Sequence, residues 1–212
     1  LWGYLFWLLT SLQLLHNDLA GQLVAFGLVL VLNLLALRGG HTNELWAWIK
    51  ANRRLILTTE TLFLVAFGLW AVGRAANPAI IGTEKPMEMA FINAILRSPT
   101  FPPIDPWLSG YAISYYYFGY VLAAMLIRVS SVDAAIGYNL MSALWYALTA
   151  LGAYGVLFDL LAGNRHKEGK ISGWVYAASL LAPFMLLIVS NWHGFLDILH
   201  ARGLFWSQDA AG

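Results

Sequence analysis

The sequence contains no cysteine, which rules out disulfides, thiolate metal sites and a cysteine nucleophile. It is also poor in charge: 11% of the 212 residues are Asp, Glu, Lys or Arg, against 60% hydrophobic residues. An ordinary soluble domain carries about 25% charged residues, so water is not the main solvent of this chain. The net charge is +1 and no basic cluster is interleaved with aromatics, which sets nucleic-acid binding aside. Strict alternation over segments of about ten residues, the mark of a membrane β-barrel, is absent from runs such as 23–37. Helices are then the way left to satisfy the backbone in lipid.

What is present is a series of apolar runs on the scale of the roughly 20 residues that a bilayer-spanning helix needs. They predict an all-α polytopic membrane protein whose spans, about six in number, cover 1–15, 19–37, 55–72, 111–129, 133–161 and 172–190. Between the second and third, Arg38, Lys50, Arg53 and Arg54 stand against Glu44, a net +3 that predicts the cytoplasmic side. Trp46 and Trp48 fit the adjacent interface. Parity then puts 74–110 outside, and also 163–171, although the latter holds Arg165, Lys167 and Lys170 against Glu168. That conflicts with the positive-inside rule. The fifth run would make a helix of roughly 43 Å, which must tilt, protrude or break near Gly152 or Gly155. Ala143, Ala147 and Ala150 share one side of it, a spacing that suits close helix packing and that ordinary alanine abundance also produces. The chain divides into two leading helices with a basic loop over 1–54 and a membrane core over 55–212. Opening on Leu1 and stopping at Gly212 soon after an apolar run, it reads as the amino-terminal portion of a longer protein.

The external segment 74–110 carries the candidate chemistry. Thr83 is placed to cap a short helix, Pro86 is tolerated in its first turn, and Ser98-Pro99 stops it. Met87, Phe91 and Ile95 recur every four residues, so this helix is expected to lie along the membrane surface and roof the space between the spans. Glu84 is a candidate general base, with partial desolvation raising its proton affinity and Lys85 opposing that; the alternative is a solvated loop acid paired with Lys85. Asp105, followed by Pro106 and Trp107, is either a substrate contact or a turn former. Tyr115, Tyr116 and Tyr117, read as the start of the fourth helix, are an aromatic belt or, since three consecutive helical positions cover over half the circumference, partly protein-facing. Glu60 lies inside the third run, where an ionisable group needs a partner such as Arg53 or a polar cavity. His193, Asp197 and His200 would share a face of a continued sixth helix, a spacing that metal ligands use and that polar helix ends also show; no fourth ligand is evident, and no metal site is assigned.

Gly82-Thr83-Glu84-Lys85-Pro86-Met87, the stretch Pro102-Pro103-Ile104-Asp105-Pro106-Trp107, and Tyr115-Tyr116-Tyr117-Phe118-Gly119-Tyr120 together resemble the prokaryotic YYY-motif membrane proteins. The likeness extends more loosely from Arg53 to Asn191, through Tyr138-Asn139-Leu140. The layout of that family looks like that of GT-C glycosyltransferases, which transfer sugars from polyprenyl-phosphate or polyprenyl-diphosphate carriers on the external face of the membrane. The resemblance implies a multi-pass protein of the prokaryotic plasma membrane in which Glu84 deprotonates an acceptor hydroxyl. Lys85 or Arg97 would hold the lipid phosphate of a lipid-linked sugar donor, and Tyr115, Tyr116 and Tyr117 would line the carrier groove with Asp105 and Trp107. It leaves open whether a divalent metal assists. The family usually has an acidic residue where this chain has His193, and that position departs. The readings set against an enzyme are a transporter working through Glu60 and a non-catalytic membrane scaffold.

Overall fold

Ten α-helices form among the residues that the computed structural model describes, 1–38, 42–108, 110–163 and 171–204. The first two, α1 (Trp2–Ser11) and α2 (Leu19–Leu37), make an apolar hairpin, and the Asp18 carboxylate starts α2 by accepting from Gly21 N at 2.7 Å, an ordinary N-cap. The basic segment that follows holds a short helix, α3 (Thr42–Ala51), which buries nothing. Then come α4 (Arg53–Ala76), α5 (Lys85–Arg97), α6 (Phe118–Ser130) and α7 (Ala134–Ala162). The sixth apolar run is broken into α8 (Gly173–Ala178) and α9 (Leu181–Leu187), a 3-10 turn, and α10 (Trp192–Ala201).

Three of these, α2, α4 and α7, are long and apolar enough to cross a membrane, and a fourth span results if the pair 173–187 and 192–201, bent by 69°, is counted as one. The six runs of the sequence thus give three or four candidate spans among the described residues. The difference lies in α1 and α6, which have 10 and 13 residues. At 1.5 Å per residue they reach about 15 and 20 Å, short of a hydrocarbon core of about 30 Å. The fourth run loses its first turns to backbone pairing. Asp105 N donates to Tyr111 O at 2.8 Å, Ile113 N donates to Pro103 O at 2.9 Å, and Ile104 bridges Ala112. Groups committed to that bridge cannot enter a helical ladder, so the helix starts at Phe118, and Tyr115, Tyr116 and Tyr117 precede it instead of opening it. The fifth run, by contrast, is one unbroken helix of 29 residues that passes through Gly152 and Gly155, so its excess length is taken up by tilt or protrusion.

Contacts at the start of α7 fix the chain path. Asn139 accepts from Arg74 Nε at 2.7 Å and donates to Pro78 O at 3.2 Å, while the Tyr138 hydroxyl donates to Glu88. The beginning of α7 therefore lies at the end of α4, level with α5. A full crossing by α6 would have carried it to the opposite end. Residues 164–170 of the basic 163–171 segment lie outside the described residues.

The described residues cluster into two compact units, one formed by 1–52 and 71–143, the other by 53–70 and 144–212. The division cuts α4 and α7. In the first unit Phe6, Ala25, Ile95, Phe101, Val121, Ala124 and Met125 form the core. In the second, Ala66 packs with Ala147 and Ala150, both buried like Ala143; the alanine side of α7 is a packing surface, as small residues allow.

Candidate functional site

The site is built on α5. Gly82 and Thr83 both take positive φ, +75° and +49°, which turns the chain sharply and moves the N-cap from Thr83, where the sequence placed it, to Glu84. The Glu84 side chain makes no capping bond. Pro86 sits in the first turn, where no amide is missed, and Arg97 in the last turn, where a cation suits the helix dipole. Phe91, Ile92, Ala94 and Ile95 are buried, so the four-residue period at 87, 91 and 95 does mark the inner face.

The C-terminal end of α5 is clamped by polar groups from two other segments. Asn17 Nδ2 donates to Ile95 O at 2.6 Å and to Ser98 O at 2.7 Å, and Asn17 N donates to Pro99 O at 2.8 Å. Arg128 of α6 donates to Asn17 Oδ1 at 3.0 Å and to Leu96 O at 3.1 Å. Carbonyls that a helix end leaves without partners are thereby satisfied by the α1–α2 turn and by α6 together.

Toward the N-terminal end of α5 lies a cluster of carboxylates and phenols. Glu88, half-buried, accepts from the Tyr138 hydroxyl. Tyr120 interacts electrostatically with Glu88, Tyr115 and Glu84, and Tyr138 with Glu88, Arg74 and Tyr120. Glu84 is exposed at the rim, and no ion pair joins it to Lys85. Beneath it Phe91 is a ring hub, with centroids 5.6 Å from Trp107, 5.6 Å from Tyr115 and 5.7 Å from Tyr120. The hub brings the prolyl segment and the tyrosine segment onto one helix.

Not every candidate converges there. Arg97 and Asp105 border a small cavity of about 200 Å³ with Ser98 and Ile104, at the far end of α5. Arg97 lies twelve positions after Lys85, roughly 18 Å along the helix, so the two phosphate candidates mark opposite ends of α5. Asp105 Oδ1 accepts from Trp107 N at 2.8 Å and Leu108 N at 2.9 Å, the turn-forming role. Tyr116 is 85% exposed and meets only the Tyr115 ring among the ring contacts. Tyr117 faces inward, its hydroxyl accepting from Trp7 Nε1 at 3.2 Å and its ring 6.3 Å from Phe101. Glu84 and Lys85 stand at the start of α5, and Trp107 and Tyr115 meet on Phe91.

Glu88, Tyr120 and Tyr138 were not among the residues singled out for chemistry, although Tyr120 and Tyr138 stood within the recognised motifs. Arg128 had a visible signal, an arginine inside an apolar run. Elsewhere, His193 and Asp197 pair at 3.5 Å on the exposed face of α10, and no group of three or more metal-ligating side chains converges among the described residues. Glu60 is exposed on α4, with no ion-pair partner among the described residues.

A family model described as an uncharacterized membrane protein, DUF2298, matches residues 1–210. No curated protein and no solved structure matches the chain.

Proposed function

Taking as premise that the chain belongs to the DUF2298 family of membrane proteins, we propose that it is a GT-C-type membrane glycosyltransferase acting at the external face. The observation that carries this reading is the rim of α5. A solvent-facing carboxylate, Glu84, stands over a cluster of tyrosines at the membrane-surface end of α4 and α7, next to Lys85. The two carboxylates of the cluster have different duties. Glu88 is engaged by Tyr138; Glu84, exposed and making no capping bond, is left open to an incoming hydroxyl.

In this reading the acceptor hydroxyl gives its proton to Glu84 as its oxygen bonds to the anomeric carbon of the sugar. The bond from that carbon to the polyprenyl phosphate breaks, and the lipid phosphate leaves with the electron pair beside Lys85. Trp107 and Tyr115 offer aromatic faces to the sugar and carrier, while Arg97 and Asp105 belong to the other end of the roof helix. The likeness of the 82–87, 102–107 and 115–120 segments to the YYY-motif proteins, and of their layout to GT-C enzymes, supports the same assignment.

The test is turnover of polyprenyl-phosphate-linked hexoses by the protein in proteoliposomes. Glu84→Gln is expected to lower kcat by at least 100-fold, the size of a lost general base, with helicity by circular dichroism unchanged. Undiminished turnover in that variant sinks the assignment of Glu84. Solute flux that depends on Glu60 and survives loss of Glu84 replaces the enzyme with a transporter.

A further inference from the structure

Another cavity among the described residues is unrelated to α5. It is an open groove of about 730 Å³ along the first turns of α4, lined by Arg53, Arg54, Leu57, Thr61, Val65 and, from across the groove, Leu180. Its size falls within the roughly 300–1,000 Å³ of small-molecule sites. The groove is sharply divided along its length. Both guanidinium groups stand at one end, and the remainder is leucine and valine with Thr58 and Thr61 among them. Positions 53, 57, 61 and 65 recur every four residues, and 54, 58 and 62 run beside them, so two adjacent stripes of α4 build the floor.

Depth makes that division meaningful. Arg53 and Arg74 are 21 residues apart on one helix, roughly 32 Å at 1.5 Å per residue, which matches a hydrocarbon core of about 30 Å. The two arginines of the groove therefore sit at headgroup level, and the apolar wall runs into the acyl region. Arg54 is held in place: its guanidinium lies 4.5 Å from the centre of the Tyr176 ring. A Cβ added at Gly173 would come within 3.2 Å of it, so the glycine keeps that approach open. Glu60 lies about 10 Å further along α4 from Arg53, two turns deeper than the headgroup level, and does not neutralise the pair. By the density of basic residues, this end is the cytoplasmic one, where anionic lipids attract arginine.

We propose that this groove binds one anionic phospholipid of the cytoplasmic leaflet, with the lipid phosphate held by Arg53 and Arg54 and an acyl chain lying along Leu57, Thr61 and Val65. The occupant is a lipid and not free phosphate, because most of the lining is apolar. The site is independent of the sugar-transfer reading, lying at the opposite end of α4 from the roof helix.

Native mass spectrometry of the protein extracted from nanodiscs tests this. Particles containing phosphatidylglycerol are expected to yield protein retaining one such lipid, and particles of phosphatidylcholine alone none. Each arginine near an anionic surface contributes about a fivefold factor, so Arg53→Gln with Arg54→Gln should lower retention by roughly 25-fold. Thr61→Trp, which fills the groove with both charges intact, should also lose the lipid, whereas Lys50→Gln, removing an exposed charge outside the groove, should not. Equal retention of the two lipids, full retention in either groove variant, or displacement of the lipid by millimolar inorganic phosphate would overturn the proposal. Thr61→Trp keeps the test decisive if the double arginine variant fails to fold.

Discussion

Among single residues, Asn17 has more structural consequence than its place in the sequence suggests. From sequence it belongs to a polar turn that ends an apolar run; in the fold it is buried and joins α5 to Arg128. Its partners lie 78 to 111 residues away, a separation that no local pattern encodes. Asn17→Ala removes the side-chain bonds to Ile95 O and Ser98 O and takes one acceptor from Arg128, which keeps Leu96 O. Unsatisfied buried groups cost about 1–3 kcal/mol each, so the variant should unfold at distinctly lower temperature. Combining it with Arg128→Met should cost less than the sum of the two single changes. Strict additivity in thermal unfolding would show that the two side chains do not act as a unit. The local setting of Glu84, by contrast, was legible, because a carboxylate just before an amphipathic run is a local pattern, and Glu84 does stand at the start of α5. Its independence from Lys85 was not, since adjacency in sequence does not say whether two side chains pair.

Among elements, the roof helix shows what periodicity can and cannot deliver. The recurrence at 87, 91 and 95 identified its inner face, and a proline with a Ser-Pro stop located its ends to within a few residues. The start of α6 was misplaced because tyrosine and isoleucine are compatible with helix and with extended backbone alike, and only the bridge to residues 103–105 decides between them. The bridge and the roof helix meet at Phe91, whose ring touches both the prolyl and the tyrosine segments. Phe91→Ala should cost about 3–5 kcal/mol, as buried aromatic truncations do, and should free the 98–117 connection. Limited trypsinolysis after Arg97 ought then to accelerate markedly relative to the parent, while Phe91→Leu should change it little. Equal cleavage rates in Phe91→Ala and the parent would mean that Phe91 does not hold this segment.

For the whole molecule, hydropathy established the class, and its six runs give three or four candidate spans among the described residues, since an apolar run of the right length is evidence of burial and not of direction. Direction comes from Arg74 meeting Asn139 and from Tyr138 meeting Glu88, contacts that bring the ends of α4 and α7 together. If α6 does not cross, Thr83 and Ser130 face one side of the membrane, and Lys50 and Lys167 face the other. Counting six crossings instead puts Ser130 with Lys50 and Lys167 with Thr83. The lack of native cysteine makes the two paths easy to separate, because each single-cysteine variant is labelled by an impermeant maleimide against no background. Thr83→Cys and Ser130→Cys in sealed, oriented vesicles are expected to react from the same side, and Lys50→Cys and Lys167→Cys only after the vesicles are opened. Labelling of Ser130→Cys together with Lys50→Cys would restore the extra crossing, and with it the basic 163–171 segment on the side where the positive-inside rule disfavours it.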